Sequence, residues 1–213
     1  MKFCVIGLGQ FGRQLAKTLA ENGGDVLAVD QNEQHINAIQ QFVSQAICIK
    51  VTDEASLEPL GIEEMDVVLV AIGESFDQTV LISTLLKRRV HTGKVIARAV
   101  TGLQKEALQL IGVDEVIRPE QETAINLADT LSSPFLSLAR LSPQFCVGLI
   151  EVPEKFVGKT LGDLKLFDAY KVNCVGLKRD EEYVVINNNY VILEHDKLIL
   201  AGKPEKLELV KEA

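Results

Sequence analysis

The sequence predicts an α/β fold in which a Rossmann-like parallel sheet domain precedes a smaller α+β domain. Apolar strand-like segments alternate with amphipathic helical segments through the first part of the chain. A glycine-rich turn, Gly7-Leu8-Gly9-Gln10-Phe11-Gly12, follows the first strand directly. From Phe145 onward the pattern changes to short strands separated by hairpin signals. We therefore expect two domains, at residues 1–138 and 139–213.

The first domain is expected to contain six parallel strands joined by helices. A nearly all-apolar run such as Met65–Ile72 is typical of a strand that is covered on both faces. Gly61 and Gly112 mark helix ends. The predicted strands are Lys2–Ile6, Asp25–Val29, Gln45–Lys50, Met65–Ile72, Lys94–Ala99 and Glu115–Ile117, and the predicted helices are one that begins at the glycine-rich turn, Glu33–Phe42, Glu54–Leu60, Ser75–Arg89 and Leu103–Ile111.

A further helical segment is predicted between Glu120 and Leu138. Its apolar positions cover more of its surface than one packed face requires. The helix therefore either packs against another subunit or covers the edge of the sheet. The apolar residues are Ala124, Ile125, Leu127, Ala128 and Leu131; Pro134 interrupts the segment, and Ser132, Ser133, Ser142 and Pro143 indicate a linker.

The second domain is expected to be a small α+β module. Polar and asparagine-rich turns at residues 180–182 and 187–189 separate its strands. The predicted strands are Phe145–Val152, Val172–Lys178, Tyr183–Ile186 and Lys197–Ala201; a short helix is predicted at Leu161–Leu166, and a last helix contains Leu207 and Val210.

Composition limits the classes of function. The chain has 213 residues, 47% of them hydrophobic, which is enough to bury a sizeable core. It contains no apolar stretch of the roughly 20 residues that a membrane span needs, and no secretory leader pattern, so we expect a cytoplasmic protein. A net charge of −8 argues against nucleic acid as a ligand.

Cysteine and histidine spacing does not predict a metal centre. The four cysteines are widely separated, without a C-x-x-C pair, and each lies in an apolar segment, so we expect reduced core residues. The histidines have no neighbouring ligand at metal-site spacing. These residues are Cys4, Cys48, Cys146 and Cys174, and His35, His91 and His195.

The glycine-rich turn predicts a phosphate cradle for an adenine nucleotide. Gly7 permits a tight turn, Gly9 lets the backbone approach phosphates, and Gly12 lets the helix pack closely on the strand. The helix amino terminus supplies free N–H groups and a partial positive charge. Asp30, 18 residues past Gly12, ends the second strand where a carboxylate accepts ribose hydroxyls. The alternative is that Asp30 caps the helix beginning near Asn32.

In its motifs and in their order, the chain resembles the RCK domain family, the regulators of potassium conductance. The resemblance is in particular to the cytosolic regulatory subunits of Trk/Ktr-type potassium uptake systems. The resemblance covers nearly the whole chain. It rests on residues 5–12, 26–30, 70–73 and 111–120, and on Gly158-Lys159-Thr160-Leu161-Gly162-Asp163-Leu164 and residues 196–202 of the second module.

This resemblance implies a nucleotide-sensing subunit rather than an enzyme. N-terminal domains pair into homodimers, which assemble into an octameric ring beneath a membrane potassium-transporting subunit, and the bound nucleotide, ATP/ADP or NAD/NADH, changes the ring. Glu120 matches a family acid that helps to bind a divalent cation at the dimer interface. The candidate nucleotide-binding residues are Gly7, Gly9, Gln10, Phe11, Gly12, Asp30, Gln31, Val51, Thr52, Asp53, Ala71, Ile72, Gly73 and Arg98.

The chain departs from the family pattern at two places. Many Ktr-type members carry an arginine where this chain has Gln10, so the preference for ATP over ADP or NAD stays open. Members that sense cyclic di-AMP often have an arginine where this chain has Phe167, and Asn173 alone is equally well explained as a turn residue. For Arg98, the alternative to a phosphate ligand is a solvated strand end.

Two other functions remain open from the sequence. A Rossmann domain also suits a small NAD(H)-dependent oxidoreductase, although Tyr170, Tyr183 and Tyr190 are not followed by a lysine four positions later. A third possibility is a nucleotide-sensing regulator of a different membrane protein.

Overall fold

The computed structural model describes residues 1–88, 93–132, 135–142 and 144–211, which form two compact units, Met1–Glu120 and Gln121–Ala213. The predicted helix end at Arg89, and the predictions that concern His91, Ser133, Pro134 and Pro143, lie outside the described residues.

The first unit contains a six-stranded sheet in the order β3-β2-β1-β4-β5-β6, and its described strand pairs are parallel. This is the Rossmann strand order. The four residues of β4 are all buried, as expected for a sheet covered on both faces. The elements are β1 (Lys2–Ile6), α1 (Gln10–Glu21), β2 (Asp25–Asp30), α2 (Glu33–Ile39), β3 (Gln45–Cys48), β4 (Val67–Val70), α3 (Phe76–Arg88), β5 (Lys94–Arg98), α4 (Gly102–Ile111) and β6 (Glu115–Ile117).

Two predicted helices of this unit are corrected by the structure. The helix from Glu33 ends at Ile39 rather than Phe42. The predicted helix Glu54–Leu60 is replaced by two 3-10 turns, Glu58–Leu60 and Ile62–Glu64. Gly61 lies between them in the left-handed conformation, which interrupts helical hydrogen bonding and separates the two turns.

The second unit contains a five-stranded sheet in the order β10-β9-β11-β8-β7, whose described pairs are antiparallel. Buried positions alternate along β8, and the buried apolar side chains of β8 and β11 belong to the same core cluster as the last helix. The elements are α5 (Pro119–Ser132), which begins at the end of the first unit, β7 (Ser137–Ser142), β8 (Phe145–Glu151), α6 (Leu166–Tyr170), β9 (Asn173–Arg179), β10 (Glu182–Val184), β11 (Lys197–Gly202) and α7 (Pro204–Lys211).

Two predictions for this part of the chain differ from the structure. The segment expected to continue a helix to Leu138 instead begins strand β7. The predicted helix Leu161–Leu166 is a turn, in which Asp163 accepts a hydrogen bond from the Thr160 hydroxyl at 2.6 Å, and helix α6 begins only at Leu166. The expected domain boundary at residues 138 and 139 stays a prediction.

The cysteines are free, but they do not all lie in the core. Cys4 and Cys146 are buried, Cys174 is half-buried and Cys48 is exposed, so the core prediction is wrong for Cys48. Burial raises the pKa of Cys4 to about 12, which keeps this thiol protonated and unreactive. None of the helices within the described residues combines the length and the apolar character that crossing a bilayer requires.

Candidate functional site

A cavity of 760 Å³ lies in the first unit at the carboxyl ends of its central strands. Strand β1 separates β2 on one side from β4 on the other, so the strand order reverses direction here. Open α/β sheets bind ligands at such a position. The cavity is lined by Ile6, Gly7, Gly9, Gln10, Phe11, Asp30, Gln31, Asn32, His35, Ile49, Lys50, Val51, Ala71, Ile72, Gly73, Glu74, Ser75, Gln78, Ile82, Arg98, Val100 and Glu120.

The turn between β1 and α1 needs glycine at two positions. Gly7 has φ of +96°, and a Cβ atom there would lie 2.7 Å from Cγ1 of Ile72. A Cβ atom at Gly12 would overlap the carbonyl oxygen of Gly7. These two glycines therefore bring the start of α1 close to the ends of β1 and β4, as a phosphate cradle requires.

Gly9 has a different role from its neighbours, because a Cβ atom there would meet no atom within 4 Å. Gly9 lines the cavity and precedes the first residue of α1, so its backbone is open to a ligand. No acidic residue lies in the first turn of α1. The amino terminus of α1 therefore presents free N–H groups and a positive dipole end, a combination that binds phosphates.

Asp30 joins the end of β2 to the glycine-rich turn. Its Oδ2 accepts a hydrogen bond from Leu8 N at 2.6 Å, and its Oδ1 accepts one from Asn32 N at 2.8 Å. Helix α2 is capped instead by Asn32, whose side chain accepts from Gln34 N. The alternative in which Asp30 is the helix cap is therefore wrong. Asp30 faces the cavity with about half of its lone pairs unused.

His35 adds a second polar group at this end of the cavity. Its Nδ1 lies 3.2 Å from Asp30 Oδ2, although it makes no hydrogen bond within the part of the chain that the structure describes. The ring follows Asp30 along the first turn of α2 and lines the cavity. Asp30 and His35 together define the end of the cavity on the β2 side.

The opposite end of the cavity is built around Arg98 at the end of β5. Arg98 forms an ion pair with Glu120, and its guanidinium lies 5.6 Å from the centre of the Phe11 ring. A Cβ atom at Gly73 would lie 2.5 Å from Nη1 of Arg98, so a larger residue here would displace the tip of this side chain. Arg98 is 17% exposed, which excludes the alternative of a solvated strand end.

The structure brings most of the sequence-predicted nucleotide residues to one cavity, but not all of them. Gly12 packs against the Gly7 carbonyl and does not line the cavity. Thr52 and Asp53 also lie outside the lining and donate their backbone N–H groups to the Ser56 hydroxyl at 3.1 and 3.2 Å. The binding roles of all these residues stay predictions. The predicted residues that do line the cavity are Gly7, Gly9, Gln10, Phe11, Asp30, Gln31, Val51, Ala71, Ile72, Gly73 and Arg98.

Sequence reasoning missed several polar residues of the lining. Each follows the end of a parallel strand, where ligands of α/β sheets bind, and this position is the signal that was available. The missed polar residues are Asn32 and His35 after β2, Lys50 after β3, and Glu74, Ser75 and Gln78 after β4.

A metal role for Glu120 also stays a prediction. Glu120 lines the cavity, but its carboxylate is paired with Arg98. The described residues contain no group of three or more His, Cys, Asp or Glu side chains placed to hold a metal ion. A cation at Glu120 would therefore need ligands that one chain does not supply within those residues.

The second unit has a smaller cavity of 320 Å³. Phe167 and Asn173, which the sequence analysis singled out, both line it, together with Lys165, Asp168 and Asn188. Phe167 is more than half exposed. At this position the cavity is therefore lined by an uncharged aromatic ring and not by the positive charge of an arginine. Its ligand stays unassigned.

A separate polar network stabilises the second unit. Buried Asp196 accepts hydrogen bonds from the Tyr190 hydroxyl at 2.6 Å, from Leu193 N at 2.9 Å and from Arg179 at 2.9 and 3.0 Å. Burial alone would raise the pKa of Asp196, but these donors hold that pKa below its ordinary value. Burial, together with the bond to Asp196, raises the pKa of Tyr190 to about 12. The Tyr190 hydroxyl is therefore held as a structural donor.

Both parts of the chain match known protein families. The family model of the TrkA-N domain matches residues 3–119, and that of the TrkA-C domain matches residues 149–213. The Ktr system potassium uptake protein C of Bacillus subtilis is 34% identical over 204 residues, 94% of this chain and 91% of that protein. The Ktr system potassium uptake protein A of Vibrio alginolyticus is 34% identical over 208 residues, 97% of this chain and 94% of that protein.

A solved structure of similar fold is the GsuK channel bound to NAD. Its TM-score is 0.67, with 17% sequence identity, and the similarity covers 99% of this chain and 38% of the channel chain. At this level of identity the likeness concerns the fold alone.

Proposed function

Because the chain belongs to the TrkA family, with a TrkA-N domain followed by a TrkA-C domain, we propose that it is the nucleotide-sensing regulatory subunit of a membrane potassium uptake system. The two Ktr system potassium uptake relatives, which align over more than nine-tenths of their own length, support this function.

The observation that carries the proposal is the cavity in which the glycine-rich turn and the Asp30 carboxylate face the same space. Phosphates would lie against Gly9 and the first turn of α1, and the Asp30 carboxylate would accept hydrogen bonds from the ribose hydroxyls. The ligand class is an adenine nucleotide, ATP/ADP or NAD/NADH. This role requires binding groups in the cavity but no catalytic group.

The mechanism is a shift of conformational equilibrium. One nucleotide favours one conformation of the assembly, another favours a second, and the membrane subunit responds to the difference. A nucleotide shifts this equilibrium only by its differential affinity for the two conformations. The protein would act at the cytoplasmic face of the membrane, bound to its potassium-transporting partner.

We further propose that the chain forms a homodimer that assembles into an octameric ring. Support comes from α5, none of whose side chains with a described environment is buried within the chain. Its apolar side chains are exposed, with Leu127 at 58% and Leu131 at 78%. Apolar exposure along one helix favours packing against a second copy. A divalent cation at this interface would have to draw the Glu120 carboxylate away from Arg98.

The proposal is tested by purifying the protein with its native membrane partner and titrating the complex with ATP, ADP, NAD and NADH by calorimetry. We expect binding of at least one of these nucleotides and a nucleotide-dependent change in potassium flux after reconstitution. A partner unrelated to potassium transport would contradict the assignment, and steady NADH oxidation that depends on an added substrate would favour the oxidoreductase alternative.

A further inference from the structure

The charges around the cavity are unevenly distributed between its two ends. Three carboxylates, Asp30, Glu74 and Glu120, face two permanently charged cations, Lys50 and Arg98. A nucleotide brings further negative charge, so each phosphate beyond those held by the backbone cradle needs a cation to compensate it.

The order of the strands determines how a nucleotide would be oriented along the cavity. Asp30 ends β2 and marks the ribose side, while the glycine-rich turn after β1 lies at the centre. Beyond this turn the cavity reaches β4 and β5, whose ends carry Glu74 and Arg98. The first two phosphates of an adenosine nucleotide would therefore lie at the turn, and whatever follows them would face the β4 and β5 side.

That side offers no free positive charge in the described cavity lining. Arg98 is the cation there, and its guanidinium is already paired with Glu120. Gln10, which also lines the cavity, is neutral, and its Oε1 accepts a hydrogen bond from Arg13 at 3.1 Å. A third phosphate would meet the carboxylates of Glu74 and Glu120 with their charge only partly balanced.

Building on the proposed function, we infer that Glu120 determines which nucleotide the cavity takes, by holding Arg98 and disfavouring a third phosphate. The ligand class is an adenosine nucleotide whose phosphates are limited to one pyrophosphate, as in ADP and NADH. Neutral polar groups at Ser75 and Gln78 on the same side suit hydroxyl groups of a second ribose better than a phosphate.

The experiment measures the affinities of ADP, NADH and ATP for the full chain by calorimetry in EDTA, because a divalent cation would neutralise phosphates and carboxylates alike. We expect the parent protein to bind ADP and NADH more tightly than ATP. Glu120→Gln should raise the affinity for ATP by about tenfold, a factor between those expected for one charge–charge interaction in bulk water and near a protein surface, and the affinity for ADP by less. Whichever of ADP and NADH binds more tightly is the pyrophosphate-containing ligand that the cavity prefers.

Glu122→Gln is the matched control, because Glu122 is exposed on the same helix and lies outside the cavity lining. It should leave all three affinities unchanged. Tighter binding of ATP than of ADP and NADH by the parent would overturn the inference, even if Glu120→Gln failed to fold. Equal affinities of Glu120→Gln and the parent for ATP would overturn it as well. Failure of the parent to bind any of the three would contradict the proposed function itself.

Discussion

Replacing Asp30 by asparagine tests the ribose end of the cavity with the smallest change of shape. The carboxylate has about four lone-pair sites. Leu8 N uses one of them at 2.6 Å and Asn32 N uses another at 2.8 Å. Two remain for the two hydroxyls of an adenosine ribose. An asparagine side chain has one oxygen with two such sites, so at least two of the four donors lose their acceptor.

Both binding and stability should therefore fall in Asp30→Asn. A hydrogen bond to a charged group is worth about 1.5–3 kcal/mol. Loss of one ribose bond should weaken ADP and NADH binding by roughly 10- to 100-fold. Loss of one backbone partner should lower the free energy of unfolding by about 1–3 kcal/mol, because the unpaired N–H stays in a part-buried site.

Calorimetric titration with ADP and NADH, together with urea unfolding followed by circular dichroism, measures the two effects. Asp25→Asn is the matched control, because Asp25 begins the same strand at the opposite end and is exposed. Unchanged affinity in Asp30→Asn would refute the ribose assignment. An equal loss of affinity in Asp25→Asn would show that net charge, not the contact with ribose, controls binding.

Three further substitutions separate folding from binding. Gly9→Ala should keep the fold, since a Cβ atom there meets nothing within 4 Å, but should weaken nucleotide binding at least severalfold in calorimetry by blocking the approach of phosphate. Gly12→Ala should lower the free energy of unfolding by about 3 kcal/mol or more in urea, because its Cβ atom would overlap the Gly7 carbonyl; unfolding identical to the parent's would contradict the close packing. Asp196→Asn should lower the stability of the second unit by about 2 kcal/mol, a value kept modest because Arg179 is half-exposed. Because the folded-state pKa of Asp196 is lowered, the ionised carboxylate should stabilise the parent fully above about pH 4, and this stabilisation should be lost as the pH falls further. In acid-unfolding curves, the difference in stability between parent and variant should therefore shrink below about pH 4.

Local pattern was sufficient to predict the first sheet. Buried runs such as Val67–Val70 and the glycine-rich turn carry their structural meaning within a few residues. Strand β7 was missed for the opposite reason. Its residues form a strand because β8 pairs with them, with Leu138 opposite Gly148, and the sequence of β7 alone does not contain that partner. Tertiary pairing overrides weak local preference.

The candidate site was predictable as a location but not as a set of contacts. Asp30 and the glycine-rich turn are linked because β1 and β2 are parallel neighbours, which places Leu8 N beside the carboxylate. Whether a residue after a strand faces the cavity depends on its local turn. Asp53 follows β3 but forms a self-contained turn in which its Oδ1 accepts from Ser56 N, whereas Lys50 reaches the cavity. Spacing in the sequence does not distinguish these two cases.

If the proposed function is correct, the coupling between nucleotide and partner must act in both directions. If a nucleotide changes the protein's affinity for the membrane partner by a given factor, the partner must change the protein's affinity for that nucleotide by the same factor. A nucleotide held equally in both conformations would shift nothing, however tightly it bound. Regulation therefore requires part of the cavity to change between conformations. The Arg98–Glu120 ion pair is a candidate, because Glu120 lines the cavity and also belongs to the first turn of α5, which begins at Pro119. Nucleotide affinity measured with and without the partner should differ in the parent protein, and Glu120→Gln should change that difference.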